Sequence, residues 1–217
     1  MKLKKKSSEK TSRLKKRVPA QLERKKNIVG DPKKQLSGIM DYNRKFSIFY
    51  SGVEYRRYFD SVYAEGVQNF LMSFEYLSSK GAKDMSYYHD LGIKIFVDSG
   101  AFTYITHPEY HSMTVEYWEQ HIEKYLNWAK KHRDIIFAIA NLDLEQLVGT
   151  DQVWEWNKKY FEPFMMETGI PVCFVWHEES GLDHYIKMCE RYPYVGFSMV
   201  NGTADTQKCI ELLAIAE

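Results

Sequence analysis

From Phe46 onward, short apolar runs alternate with longer amphipathic stretches. The runs cover residues 46–50, 70–74, 93–97, 135–140, 172–176 and 194–198. Each has the length of a strand and is rich in β-branched or aromatic residues. Helical spacing fills the gaps. Tyr55, Tyr58, Phe59, Val62 and Tyr63 recur at i, i+3, i+4, i+7 and i+8. Val115, Trp118, Ile122, Tyr125, Leu126 and Ala129 do the same, with Thr114 placed as N-cap. Val153, Trp156 and Tyr160 mark another helix, which Pro163 is expected to bend or end. Leu182, Tyr185, Ile186 and Cys189 mark the next, and Cys209, Leu212, Leu213 and Ala216 the last. No periodic repeat of sequence is visible.

Six consecutive strand–helix units predict an α/β fold with a parallel sheet and right-handed crossovers. Two architectures fit that pattern, an open doubly wound sheet or part of a (β/α)8 barrel. Either one puts chemistry at the carboxyl ends of the strands. Polar residues do follow the runs there: Glu75, then Asp98-Ser99-Gly100-Ala101-Phe102, Asn141-Leu142-Asp143, His177-Glu178-Glu179, and Ser198 with Asn201-Gly202. An acid at a strand end is costly to desolvate unless partnered. Asp98 and Asp143 therefore read either as turn caps or as working carboxylates, with Gly100 suiting a tight turn in both cases. His177 reads either as a satisfied loop histidine or as part of the same rim. The Glu178–Glu179 pair reads as a solvated loop.

Charge divides the chain. Residues 1–45 hold 16 Lys/Arg against 4 Asp/Glu, and residues 46–217 hold 14 against 25. The basic segment includes Lys4, Lys5, Lys6, Lys15, Lys16, Arg17, Arg24, Lys25 and Lys26 and few apolar residues. It cannot bury enough surface to offset its ordering entropy, so it is expected to be a flexible arm. Nucleic-acid contact through counterion release is one reading of it. A solvated tail, or an arm folded back on the acidic body, are the others.

Three cysteines far apart, with no Cys-x-x-Cys pair, argue against a disulfide scaffold and a compact zinc loop. No apolar stretch could span a bilayer, and no h-region follows the basic start, so a cytoplasmic protein is expected. Dinucleotide, Walker A and Gly-x-Ser-x-Gly markers are absent. His107 and His111 are split by Pro108, so no metal is expected there.

The segment Ile95-Phe96-Val97-Asp98-Ser99-Gly100-Ala101-Phe102 resembles the Asp-Ser-Gly-Gly-Phe motif of tRNA-guanine transglycosylases. It is closer to the Asp-Ser-Gly-Ala-Phe form of their phage and bacterial relatives that act on DNA or tRNA. Ala140-Asn141-Leu142-Asp143 falls where that family has a second aspartate, and the runs leading to His177 and to Ser198 resemble its next two strands. The resemblance covers about residues 46–217. It implies a TIM-type (β/α)8 barrel, incomplete at about six units, that exchanges guanine for a 7-deazaguanine base in tRNA or DNA. A carboxylate would attack the ribose C1′ of a nucleotide drawn out of its stack.

Carried over, Asp98 becomes the catalytic acid/base. Asp143 becomes the acceptor for the guanine N1–H and exocyclic amine. Ser99, Gly100, Phe102, His177, Gly196 and Ser198 frame the base, with Phe102 or Tyr104 stacking on it. No cofactor and no metal are implied, since the zinc cluster of the tRNA enzymes is missing. Trp176-His177 stands where those enzymes carry a glutamine. The family's nucleophilic aspartate follows a later strand without counterpart here, so a second copy or another chain is expected to complete the barrel. An inactive nucleic-acid-binding or assembly protein keeping part of the barrel is the alternative, and an unrelated hydrolase using Asp98, Asp143 and His177 is a third.

Overall fold

Five of the six runs become strands of one sheet: β1 (Asn69–Ser73), β2 (Lys94–Asp98), β3 (Ile136–Ala140), β4 (Val172–His177) and β5 (Val195–Ser198). Their order in the sheet is their order in the chain, and every neighbouring pair is parallel. The computed structural model describes residues 48–80, 82–198 and 206–216. The basic arm, residues 46 and 47 of the first run, and Asn201-Gly202 lie outside them. What is described of the first run contributes one parallel bridge, Tyr50 to Phe70. The Tyr50 N–H donates to the Asn69 carbonyl and the Tyr50 carbonyl accepts from the Leu71 N–H, both at 3.0 Å.

The helices are α1 (Arg56–Ala64), α2 (Phe74–Lys80), α3 (Ala82–Asp90), α4 (Ala101–Thr106), α5 (Val115–Lys131), α6 (Glu145–Val148), α7 (Thr150–Trp156), α8 (Glu162–Thr168), α9 (Leu182–Arg191) and α10 (Thr206–Ala216). In α5 the Thr114 hydroxyl accepts from the Tyr117 N–H at 3.3 Å, and Trp118, Ile122, Tyr125, Leu126 and Ala129 are buried in one stripe. No helix among the described residues is long and apolar enough to cross a membrane.

Pro163 does not end the helix that starts at Thr150. A π-turn over Asn157–Phe161 links α7 to α8, and Pro163 sits in the first turn of α8. The widened turn has already interrupted the i to i−4 ladder, so the missing proline N–H costs little there.

Alternation along the strands separates two faces. Phe70, Met72, Ile95, Val97 and Ile139 are sealed within the main core. Leu71, Ser73, Phe96 and Asp98, on the opposite parity, are only half-buried. A bulge between β2 and β3 leaves Phe137 as an extra residue, since Ile95 pairs with Ile136 and Phe96 with Ala138. Phe49 packs on both Phe96 and Phe137, and Phe96 on Tyr194, so aromatic rings line this second face.

Register then fixes where the polar ends fall. Ser73 pairs with Asp98 and His177 with Ser198, so these four stand on the second face at one rim. Gly196 lets β5 approach β4, because a Cβ there would lie 2.9 Å from the Cys173 Sγ. Gly196→Ala is expected to destabilise the fold by about 1–3 kcal/mol through this overpacking. Urea unfolding measures it, and adding Cys173→Ala should recover most of the loss. Equal stability of the single variant and the parent would contradict the close approach.

Candidate functional site at the carboxyl rim

Asp98 closes β2. Its Oδ2 accepts from the Gly100 N–H at 3.0 Å, which bends the chain into α4. The bend needs glycine, because Gly100 has φ +86° and a Cβ there would meet the Ser73 Oγ at 3.3 Å and the Glu75 Cβ at 3.4 Å. Burial holds the Asp98 carboxyl above its ordinary acidity range, with the nearby charges of Asp143 and Glu54 adding and the Gly100 N–H opposing.

Ser99 is wholly buried. Its hydroxyl accepts from the Ala101 N–H at 3.3 Å and donates to Asp143 Oδ1 at 3.1 Å. The other oxygen of Asp143, Oδ2, accepts from His177 Nε2 at 2.8 Å. One carboxylate thus ties the loops after β2, β3 and β4 together. Each of its oxygens keeps a second lone pair.

Asn141 braces the same loop. Its N–H reaches the Cys173 carbonyl, its Oδ1 accepts from the Val175 N–H at 2.8 Å, and its Nδ2 donates to Asn157 Oδ1 at 3.1 Å. The π-turn is what carries Asn157 to it. Tyr125 closes the gap beneath, its buried hydroxyl lying 3.1 Å from both the Val97 and the Ala140 carbonyls.

Glu145 opens α6 and its side chain is 4% exposed. Its Oε2 has no hydrogen-bond partner and lies 3.9 Å from His177 Nε2. Burial pushes this carboxyl up to about 7, with His177 pulling it down and Asp143 pushing it further up. Burial lowers the His177 imidazole, but the hydrogen bond and charge of Asp143, with Glu145 and Glu179, outweigh it and leave it above the usual 6.5.

A second cluster adjoins. The Tyr104 hydroxyl donates to Glu75 Oε2 at 2.7 Å and lies 3.0 Å from His121 Nε2. Burial lowers the His121 imidazole below its ordinary value, with the nearby charge of Glu75 opposing. Burial also pushes the Cys173 thiol up to about 12, which leaves it no thiolate character near neutral pH.

Of the residues singled out by sequence, Asp98, Ser99, Gly100, Asp143 and His177 come together, with Ser198 on the adjoining strand of the same rim; Gly196 lies two residues before it, opposite Val175 and against the Cys173 Sγ rather than at the rim. Phe102 does not join them: it is 78% exposed on the first turn of α4. Tyr104 is buried against Trp118 and Tyr110, within the core rather than open to a ligand. The Glu178–Glu179 pair is exposed, with Glu178 paired to Lys208 and Glu179 accepting from Gln146 Nε2. Glu145, His121, Asn157 and the hydroxyl of Tyr125 were not anticipated.

Among the described residues no group of three His, Cys, Asp or Glu side chains could hold a metal ion. The fold and the rim define an α/β protein whose parallel sheet gathers carboxylates and a histidine at its carboxyl ends. No family model, curated protein or solved structure matches the chain.

Proposed function

We propose that this rim is the base-binding half of a guanine transglycosylase-type site that exchanges guanine for a 7-deazaguanine base in tRNA or DNA. The observation that carries the reading is the fixed carboxylate of Asp143, oriented by Ser99 and His177 beside the weakly acidic Asp98. A doubly wound sheet reverses strand order at its switch point, whereas this one does not. With right-handed crossovers, sequential order sends every helix to one face, as in a (β/α)8 barrel. The Tyr50 bridge marks a sixth parallel position beside β1. A second copy, another chain or further residues of the same protein would add the remaining strands and the nucleophile, and the basic arm would hold the polyanion.

The spare lone pairs of Asp143 accept the guanine N1–H and exocyclic amine. Asp98, protonated more readily than an ordinary aspartate, gives its proton to the leaving guanine and takes one back from the incoming base. The partner's carboxylate would hold the ribose C1′ between those steps.

Exchange of labelled guanine into tRNA and into DNA, by the full chain with and without its partner, tests the proposal. Asp98→Asn should lower exchange by about 100-fold or more while leaving the thermal midpoint nearly unchanged. Exchange equal to the parent's would refute the role of Asp98. Base binding with no exchange under any pairing would favour the inactive, nucleic-acid-binding alternative.

A further inference from the structure

The geometry points to Glu145 as a positioning residue that acts through His177 and sets which edge of a ligand that imidazole recognises. The inference rests on the base-binding reading of the rim and deepens it. Glu145 Oε2 is closed off from solvent and unpartnered. A ligand cannot touch an atom that water cannot reach, so any influence of Glu145 must pass through a neighbour. That neighbour is His177, at 3.9 Å.

The His177 ring is already fixed at one nitrogen. Nε2 lies 2.8 Å from Asp143 Oδ2, and an ionised carboxylate only accepts, so Nε2 carries a hydrogen. Nδ1 has no hydrogen bond among the described residues, and it is not among the buried atoms left without a partner. It therefore remains open on the rim. Its polarity follows the charge of the ring. In the neutral ring Nδ1 accepts a hydrogen bond, and in the protonated ring it donates one.

Three carboxylates face this ring: Asp143 from the loop after β3, Glu145 from α6 and Glu179 from the turn after β4. Only burial opposes them. Glu145 is the one with no other partner for its buried oxygen, so its charge is the adjustable part of the set. An ionised Glu145 keeps the ring protonated and Nδ1 a donor, which suits a 6-oxopurine. A neutral ring would instead suit a 6-aminopurine.

The test follows His177 by NMR in the full chain with labelled histidine, the resonance being assigned by loss in His177→Asn. Glu145→Gln should lower the His177 titration midpoint by about half a pH unit or more, and Glu145→Asp should restore it. Calorimetry with free guanine and free 2,6-diaminopurine reads the consequence. Guanine should lose affinity as pH rises through the His177 midpoint, whereas 2,6-diaminopurine, which has no N1–H for Asp143, should bind more weakly but show no such loss, and Glu145→Gln should move the guanine transition to lower pH. Glu145 is not among the charges acting on Asp98, so the difference between the two proteins isolates Glu145. Coincident His177 midpoints in two folded proteins would overturn the inference, as would a purine preference indifferent to pH. If neither purine binds, the base-binding reading and the ligand half of this inference both fall. The His177 midpoints still decide whether Glu145 acts through the ring.

Discussion

Asp143→Ala is expected to cost about 3–5 kcal/mol of stability, the range for removing one partner of a buried ion pair. Three groups lose their acceptor or tether at once. The Ser99 hydroxyl, which has no solvent contact, must find another acceptor. His177 Nε2 loses a 2.8 Å bond and keeps only the 3.9 Å approach of Glu145, which places the loss toward the lower end of the range. The loops after β2, β3 and β4 lose their common tie. Asp143→Asn should cost far less, because an amide of the same shape can accept from Ser99 and donate to a neutral imidazole. The two variants differ in their response to pH. The His177 imidazole is held above 6.5 by its acidic neighbours, so its contribution is fully present below the ordinary value. It fades as pH rises through the raised value. The gap between the parent and Asp143→Asn should therefore be wider at pH 6 than at pH 9. Urea unfolding at both pH values reads it, and an Asp143→Ala protein as stable as the parent would show that the tie is not there.

Strands were legible in this sequence because each is a short, mainly apolar run rich in β-branched or aromatic residues and followed by polar or turn residues. The amphipathic helices α1, α5 and α9 were legible from apolar residues at helical spacing, which bury Phe59, Trp118 and Tyr185, although Tyr55, Tyr58, Leu182 and Ile186 of the same stripes stay exposed. What escaped notice lacked a boundary or a period. Phe74 reads as the last residue of a strand, yet it begins α2 with no turn residue between. The α4 helix is six residues long and too short to show a stripe. Pro163 is visible in the sequence, but the π-turn that accommodates it is not, because nothing in Asn157-Lys158-Lys159-Tyr160-Phe161 distinguishes a wide turn from an ordinary one.

The site divides the same way. Asp98, Asp143 and His177 stand out as polar residues directly after apolar strands. Glu145 does not, because an acid in the first turn of a helix is ordinary there. Tyr125 fell within the apolar stripe of α5, where only its hydroxyl, reaching two carbonyls of neighbouring strands, separates it from phenylalanine. Contacts among residues 17 to 44 positions apart, such as Ser99 with Asp143 and Tyr104 with His121, follow from the order of strands rather than from any local pattern.

Glu145→Gln is expected to stabilise the protein above neutral pH, by about 3 kcal/mol relative to the parent. The carboxyl ionises at about 7 in the folded chain against an ordinary 4.5. Each unit of that displacement is worth about 1.4 kcal/mol. Between those two values the folded state holds more protons than the unfolded state, so the parent loses stability as pH rises from about 4.5 to about 7 and levels off beyond. Glutamine has the same shape and no charge to desolvate, which removes that decline. The two proteins should therefore be nearly equal in stability at pH 4.5 and diverge steadily up to pH 8, as followed by urea unfolding across the range. A gap that stays constant from pH 4.5 to pH 8 would mean that the carboxyl is paired or solvated in the folded chain. The direction of the effect also says why such a residue would persist. A buried acid that lowers stability at neutral pH, yet sits 3.9 Å from the one imidazole on the rim, serves the charge of that ring better than it serves the fold.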